Sequence, residues 1–255
     1  MKCLLLRILF LLYYIPIGLP LFVLVTAVLS GSIVVGCLLG YGAWSSRYLG
    51  KIWARVVLIL HCSPVSVSGR EYLSEEGGVY VVVANHQSAF DIYALYGYID
   101  LPFKWVLKEE LRRMPFVGWA CEAAGFIFVD DKRPSSINQT LSDANKALLE
   151  GSSIFIFPEG SRTLTGQMMR FKKGAFVMAS QLGVPVLPVS IDGAFDVLKR
   201  GDKLAYPHRI KLTIHPPIDP KTFGEPPRSI MLLAAEAQRV VGSVLPREPE
   251  GRWTK

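Results

Sequence analysis

From Ile8 to Trp44 the chain carries no charged side chain. This uncharged run of about 37 residues would measure roughly 55 Å as one helix, against a bilayer hydrocarbon core of about 30 Å. It is too long for one straight span. Pro16, Gly18 and Pro20 cluster near its start, and Ser30-Gly31-Ser32 softens its middle. Two arrangements fit. One is a single span from about Leu21 to Trp44 after a short interfacial stretch. The other is a pair of helices that dip into one leaflet and return, leaving Arg47, Lys51 and Arg55 at the lipid headgroups. A cleaved signal peptide does not fit, because its apolar region runs only about 7–15 residues.

The following stretch, residues 43–62, mixes basic residues with Tyr48, Leu49, Ile52, Trp53, Val56, Val57 and Leu60. An interfacial helix and a helix packed on the rest of the protein both suit that pattern. Hydrophobic residues make up 51% of the 255-residue chain and charged residues 19%, below the roughly 25% usual in soluble domains. The formal charge of +7 suits an anionic membrane surface or a phosphate-bearing substrate. Nucleic acid is set aside as a partner, since the basic residues are dispersed and no recognised binding motif accompanies them. Cys3, Cys37, Cys62 and Cys121 form no Cys-x-x-Cys, and the four histidines show no metal-ligand spacing. The reading is reduced thiols in a cytosol-facing protein with no metal and no cofactor.

Beyond Pro64 the periodicity changes. Val79–Ala84 is a continuous apolar, β-branched run and reads as a strand buried on both faces, with a helix expected from about Ser88 to Tyr96. Phe103–Leu107 and Phe126–Val129 are short strand candidates, separated by a turn through Pro115 and a short helix closed by Gly125. Ile137, Leu141, Ala144 and Leu148 share one face of a helix over 137–150, which Gly151 ends. Ser153–Phe157, Val186–Ser190 and Ile210–His215 read as strands, with helices over 174–182 and from about Ser229. Such alternation predicts an α/β fold with a mostly parallel or mixed central sheet flanked by helices. The organisation expected is a hydrophobic attachment segment and interfacial helix over 1–62, an α/β domain over 63–245 and a loose tail over 246–255.

Chemistry-bearing residues gather where strands end. Directly after the first buried strand comes Asn85-His86-Gln87-Ser88-Ala89-Phe90-Asp91. A histidine there takes a proton from a hydroxyl at neutral pH if a carboxylate holds its tautomer, and Asp91, one helical turn on, is placed to do so. Ser88-x-x-Asp91 also matches a capping box in acidic form, and the two roles are compatible. After another buried strand comes Phe157-Pro158-Glu159-Gly160-Ser161-Arg162-Thr163, where Gly160 permits close backbone approach and Arg162 offers a fork of donors for phosphate. Arg170, Lys172 and Lys173 precede a helix start, an arrangement suited to anions but equally to a solvated turn. Lys104, Lys108, Arg112 and Arg113 supply further cations, and Val184-Pro185-Val186-Leu187-Pro188-Val189 shapes a strand. No Gly-x-Ser-x-Gly elbow, Walker loop or Gly-x-Gly-x-x-Gly occurs.

Together these four blocks, over about Val79–Val189, resemble the glycerolipid acyltransferases, specifically the 1-acylglycerol-3-phosphate acyltransferases. The resemblance implies a catalytic dyad of His86 and Asp91, with Lys108, Glu159, Gly160 and Arg162 holding the acceptor's phosphate. It implies acyl-CoA or acyl-carrier protein as donor, a lysophospholipid acceptor and an N-terminal two-helix element on the membrane. The reaction expected is acyl transfer to the sn-2 hydroxyl of lysophosphatidic acid, giving phosphatidic acid, with His86 as general base. Another lyso-lipid acceptor such as lyso-ornithine lipid is the alternative; hydrolysis and a non-catalytic membrane scaffold are the readings from other classes. The expected location is a bacterial inner membrane, the active site facing the cytoplasm. One block departs from the family pattern: Phe128-Val129-Asp130-Asp131-Lys132-Arg133 displaces an arginine, which leaves a phosphate contact for Arg133 unassigned.

Overall fold

The computed structural model describes residues 2–73, 78–130 and 136–246. Arg133 and the tail beyond Pro246 lie outside these residues.

The chain begins with a helical hairpin. Helix α1 (Lys2–Tyr13) runs through a π-helical turn at Tyr14–Gly18 into α2 (Leu19–Leu38), and α3 (Gly42–Leu60) returns alongside. The prolines therefore do not break the first helix: the wider π turn accommodates Pro16, and Pro20 sits in the first turn of α2, where its missing N–H costs little. Nor does Ser30-Gly31-Ser32 interrupt it. The reversal comes at Leu39–Tyr41, where Gly40 takes φ +86°, a backbone geometry that side chains disfavour. Trp53 Nε1 donates to Thr26 Oγ1 at 3.0 Å across the hairpin, and His61 Nε2 meets the Tyr14 hydroxyl at 2.8 Å near its open end. The N-terminus is thus a pair of helices, but the uncharged run supplies essentially the first alone, and Arg47, Lys51 and Arg55, expected to follow the pair, lie within the second, where Lys51 pairs with Asp100 and Arg55 bonds Gly97.

α3 has two faces. Ala54, Val57 and Leu58 are buried, while Trp44, Tyr48, Ile52 and Ile59 are exposed. The buried side packs on α4 (Phe90–Tyr98), with Arg55 Nε donating to the Gly97 carbonyl at 2.8 Å. The helix is thus docked on the α/β domain along one face and open along the other.

The domain is built on a seven-stranded sheet in the order β1-β7-β6-β2-β5-β3-β4. Its strands are β1 (Val65–Ser68), β2 (Val81–Ala84), β3 (Phe103–Lys108), β4 (Ile127–Val129), β5 (Ser153–Ile156), β6 (Val186–Asp192) and β7 (Ile210–Ile214). Neighbours are parallel except β6 and β7. Four-residue β1 is a strand that the periodicity did not mark, because only Val65 and Val67 of it are apolar and it pairs at the sheet edge. Pro188 is tolerated in β6 because it lies just outside the β6–β7 ladder, which begins at Val189.

Alternation along β2 divides the core. Val82 and Ala84 join Phe90, Leu95, Phe155, Leu187 and Leu212 on the face covered by α3 and α4. Val81 and Val83 join Ile154, Phe176, Leu233 and Val241 on the other, covered by α6 (Ser136–Leu149), α7 (Gly174–Leu182) and α9 (Arg228–Gly242). Burial on both faces is why β2 reads as an unbroken valine run. The chain moves from β2 out to β3 and β4, returns to β5 beside β2, and then crosses to β6 on the other side. The turns after β2 and β5 therefore emerge side by side at the carboxyl edge of the sheet, where the strand order switches direction.

Phe155 tests this core. It is fully buried, with ring centroids 4.6 Å from Trp105 and 5.4 Å from Phe103. Phe155→Ala is expected to lower the unfolding free energy by about 3–5 kcal/mol, read from chemical denaturation in detergent. A loss below about 1 kcal/mol would show that the sheet faces close over the gap.

Candidate active site

The turn leaving β2 is organised by one carboxylate oxygen. Asp91, in the first turn of α4, is fully buried. Its Oδ2 accepts the Gln87 N–H at 2.6 Å, the Ser88 N–H at 2.8 Å and His86 Nδ1–H at 2.8 Å. A carboxylate only accepts, so the imidazole carries its proton on Nδ1 and presents the Nε2 lone pair outward. Ser88 Oγ accepts from the Phe90 N–H at 3.2 Å and donates to the Leu198 carbonyl at 2.7 Å. Orientation of His86 and hydrogen bonding of the N–H groups leading into α4 coexist in this one turn, although the helix's own N-cap, Ala89, supplies no side-chain cap.

The histidine ring is fixed in a second way. It stacks on Phe157, the first residue after β5, with centroids 3.9 Å apart and planes 10° from parallel. Trp105 of β3 stacks in turn on Phe157 at 5.7 Å. With 15% of its side chain exposed, His86 sits at the surface end of this aromatic column.

Glu159 joins the two turns. It is 3% exposed; its Oε1 accepts the His86 backbone N–H at 2.7 Å and its Oε2 accepts the Met169 N–H at 2.9 Å. The Thr163 N–H donates to the His86 carbonyl at 2.9 Å, so both backbone groups of His86 are tied to the loop after β5. Burial pushes the Glu159 carboxyl up to about 7, opposed by the two backbone N–H groups that favour its ionised form.

Gly160 takes φ +76°, and a Cβ there would lie 2.6 Å from Lys172 Nζ. The group that comes close to this glycine is therefore an ammonium of the chain itself. Arg162 is partly exposed on the same loop, and its carbonyl accepts from Arg200 at 3.0 Å. Lys108 lies exposed at the carboxyl end of β3, on the same sheet edge. Lys104 and Arg112 are placed elsewhere: Lys104 Nζ donates to the Ala124 carbonyl, and Arg112 pairs with Glu109 and Glu122 over the Phe128 ring. The structure thus brings His86, Asp91 and Glu159 into direct contact, sets Gly160 and Arg162 on the adjoining loop, and leaves Lys108 at the rim.

Pattern reading missed the strap formed by the end of β6 and the segment after it. Asn85 Nδ2 donates to the Ile191 carbonyl and its Oδ1 accepts the Ile191 N–H, both at 2.8 Å. Gln87 Oε1 accepts the Phe195 N–H at 3.4 Å, and Leu198 and Arg200 make the contacts already given. Residues 191–200 hold both turns from one side. No local signal marks them, because most of their bonds use backbone groups that every sequence carries.

The acyltransferase family model matches residues 64–192. The 1-acyl-sn-glycerol-3-phosphate acyltransferase of Pseudomonas aeruginosa is 30% identical over 78% of this chain and 77% of its own length. That of Chlamydomonas reinhardtii is 30% identical over 84% of this chain, which spans 63% of the algal protein. The chain spans about half, 48%, of the chloroplastic relative from Arabidopsis thaliana. The crystal structure of the 1-acyl-sn-glycerophosphate (LPA) acyltransferase PlsC from Thermotoga maritima superposes with a TM-score of 0.76 at 27% identity, covering 100% of both chains. With the matched segment enclosing the turns after β2 and β5, the chain belongs to the acyltransferase family.

Proposed function

We propose that the protein transfers a fatty acyl group from acyl-CoA or acyl-carrier protein to the sn-2 hydroxyl of lysophosphatidic acid, forming phosphatidic acid. The observation that carries this reading is the 2.8 Å contact of His86 Nδ1 with the buried Asp91, which leaves Nε2 as an outward-facing acceptor for a hydroxyl proton. As the acceptor oxygen attacks the thioester carbonyl, Nε2 takes its proton and the Asp91 carboxylate stabilises the imidazolium. The carbon–sulfur bond then breaks and the thiolate leaves, reprotonated by the imidazolium. The acceptor oxygen is itself the nucleophile, so no acyl-enzyme forms.

Arg162 and Lys108 supply cations for the acceptor phosphate, with Lys172 beside Gly160 as a third. Glu159 acts as a tether for the His86 backbone rather than as a phosphate contact, since both its oxygens already accept N–H bonds and a carboxylate repels a phosphate. The hairpin supplies the location. Leu5–Leu38 is a 34-residue helical stretch with mean hydropathy 2.5 over its most apolar 18-residue window, and only 17% of that window is buried in the protein. Leu9, Leu12, Ile15, Val23, Leu24, Val28 and Val35 are all exposed. Lipid is the environment that suits such a surface. We place the hairpin in one leaflet, a reading supported by the return of the chain after Gly40 with α3 docked on the domain, so that the sheet edge faces lipid-borne acceptors. Residues 1–62 form the attachment segment and 63–245 the catalytic domain, on a bacterial inner membrane with the site facing the cytoplasm.

Radiolabelled acyl transfer tests the reading, with oleoyl-CoA or acyl-carrier protein as donor and lysophosphatidic acid beside lyso-ornithine lipid. Phosphatidic acid is the expected product; product from lyso-ornithine lipid alone would move the enzyme to another acceptor. His86→Ala is expected to lower kcat by about 10²–10⁴-fold or more while the protein stays folded, and near-normal turnover would remove His86 as the base. Asp91→Asn can leave its carbonyl oxygen with the three donors, but it buries an NH₂ at the Oδ1 position, where no partner among the described residues is in reach, and removes the charge that stabilises an imidazolium. It should reduce kcat and also cost about 1–3 kcal/mol of stability, seen as a lower thermal midpoint.

Glu159 gives a pH signature. Its folded value of about 7 stands above the ordinary 4.5, so between these limits the folded chain holds a proton that the unfolded chain has released. Stability from this group is therefore present at low pH and falls as pH rises through that window, by at most about 1.4 kcal/mol per unit. The buried His215, pushed down by burial, acts in the opposite direction. Comparing thermal midpoints of the native chain and Glu159→Gln from pH 5 to 7 isolates the carboxylate: the difference should shrink as pH rises. A difference that does not vary with pH would mean that Glu159 is already ionised throughout.

A further inference from the structure

We propose that the turn Met114–Trp119 is a second lipid-inserting wedge, separate from the N-terminal hairpin, which seats the active-site edge of the sheet on the membrane surface. The inference rests on the reading of the hairpin as a lipid-bound element. It starts from a backbone outlier. Phe116 takes φ +62°, ψ −62°, and the Val117 N–H donates to the Pro115 carbonyl at 2.7 Å. This is a γ-turn of the rare, strained hand, held by a bulky residue where glycine would sit without penalty. Core packing does not explain the choice, for Phe116 is 42% exposed.

Its neighbours share that exposure. Met114 is 45% and Trp119 55% exposed, and the Phe116 and Trp119 rings meet edge to face at 5.6 Å. Gly118 keeps the turn tight: a Cβ there would lie 2.5 Å from the carbonyl oxygens of both Leu111 and Arg112. The result is a short, stiff projection tipped by Met, Phe and Trp, with Arg113 exposed at its base. An aromatic tip over a basic base suits the boundary between acyl chains and anionic headgroups.

Position selects lipid over a protein partner. The turn leads into α5 (Val117–Ala123), which is seated on α2: Ala120 and Ala124 pack against Ile33, with Val34 and Cys37 alongside. The exposed apolar surface of the hairpin thereby continues onto α5 and Trp119. The segment also follows the carboxyl end of β3, which runs parallel to β5, itself parallel to β2, so it lies at the same edge as His86. A second anchor there fixes the rotation of the packed hairpin and domain about the hairpin axis.

Vesicles containing brominated phosphatidylcholine test the proposal through tryptophan fluorescence, with Trp119→Phe and, on the hairpin, Trp44→Phe. The expected result is that each substitution removes part of the emission that the brominated lipid quenches. If Trp44 emission is quenched but that of Trp119 is not, and iodide in the water reaches Trp119, the turn faces solvent and the proposal falls. If Trp119 is shielded from both quenchers, a second copy of the chain covers it, and the proposal falls equally. If neither tryptophan is quenched by lipid, the lipid-bound reading of the hairpin fails and takes this inference with it. A second variant reads function: Phe116→Gly relaxes the turn, so its thermal midpoint should hold or rise. Its KM for vesicle-borne acceptor should nonetheless rise about tenfold, the equivalent of one aromatic ring withdrawn from lipid. An unchanged KM would overturn the wedge.

Discussion

Three donors converge on Asp91 Oδ2, and the geometry of the site follows from that convergence. A buried carboxylate is costly unless its charge is met by hydrogen bonds. Here the bonds come from two backbone N–H groups and one imidazole of the same turn. Satisfying the charge therefore also curls the turn, starts α4 and points His86 Nε2 away from the protein. Local folding and orientation of the imidazole are one physical event.

The rest of the site keeps that turn still. The Glu159 carboxylate and the Thr163 N–H hold the two backbone groups of His86, Phe157 holds its ring plane, and Asn85 pairs with both backbone groups of Ile191. These restraints come from β5, β6 and their following loops, so His86 is braced from both neighbouring strands. Side chains locked by packing and by outer hydrogen bonds give the positional precision that transfer between two bound substrates needs. Glu159 illustrates the cost. Its burial lifts its pKa against the very bonds that it accepts, so the tether is held in place by the fold around it.

The hairpin and the domain are also one packed unit. α3 buries Ala54, Val57 and Leu58 against the domain, and His61, closing that helix, lies 4.8 Å from the Phe90 ring, the residue before Asp91. Its Nδ1 meets the Val57 carbonyl, which fixes the proton on that nitrogen and leaves Nε2 to accept from Tyr14. The apolar segment thus reaches to within one residue of the buried Asp91 carboxylate. The long apolar helix pair therefore shares direct contacts with the turn that carries the proposed chemistry.

Much of this was legible in the residues themselves. The valine run of β2, the glycines at 151 and 183 and the apolar stripe of α6 fix their elements by burial on both faces, by positive φ and by helical period. The two motif turns could be placed at strand ends for the same reason, whereas the length of the uncharged run left its arrangement open. What tertiary structure decided is everything that depends on contacts between distant residues. It put β5 beside β2, so that Glu159 met the backbone of His86 across 73 positions of sequence; it turned Gly160 toward Lys172, recruited Ile191–Arg200 as a strap and placed the reversal at Gly40. Periodicity and turn chemistry are properties of neighbouring residues and can be read along the chain. Strand order and backbone hydrogen bonds between loops are set by the packing of the whole core, and leave no mark on the residues that make them.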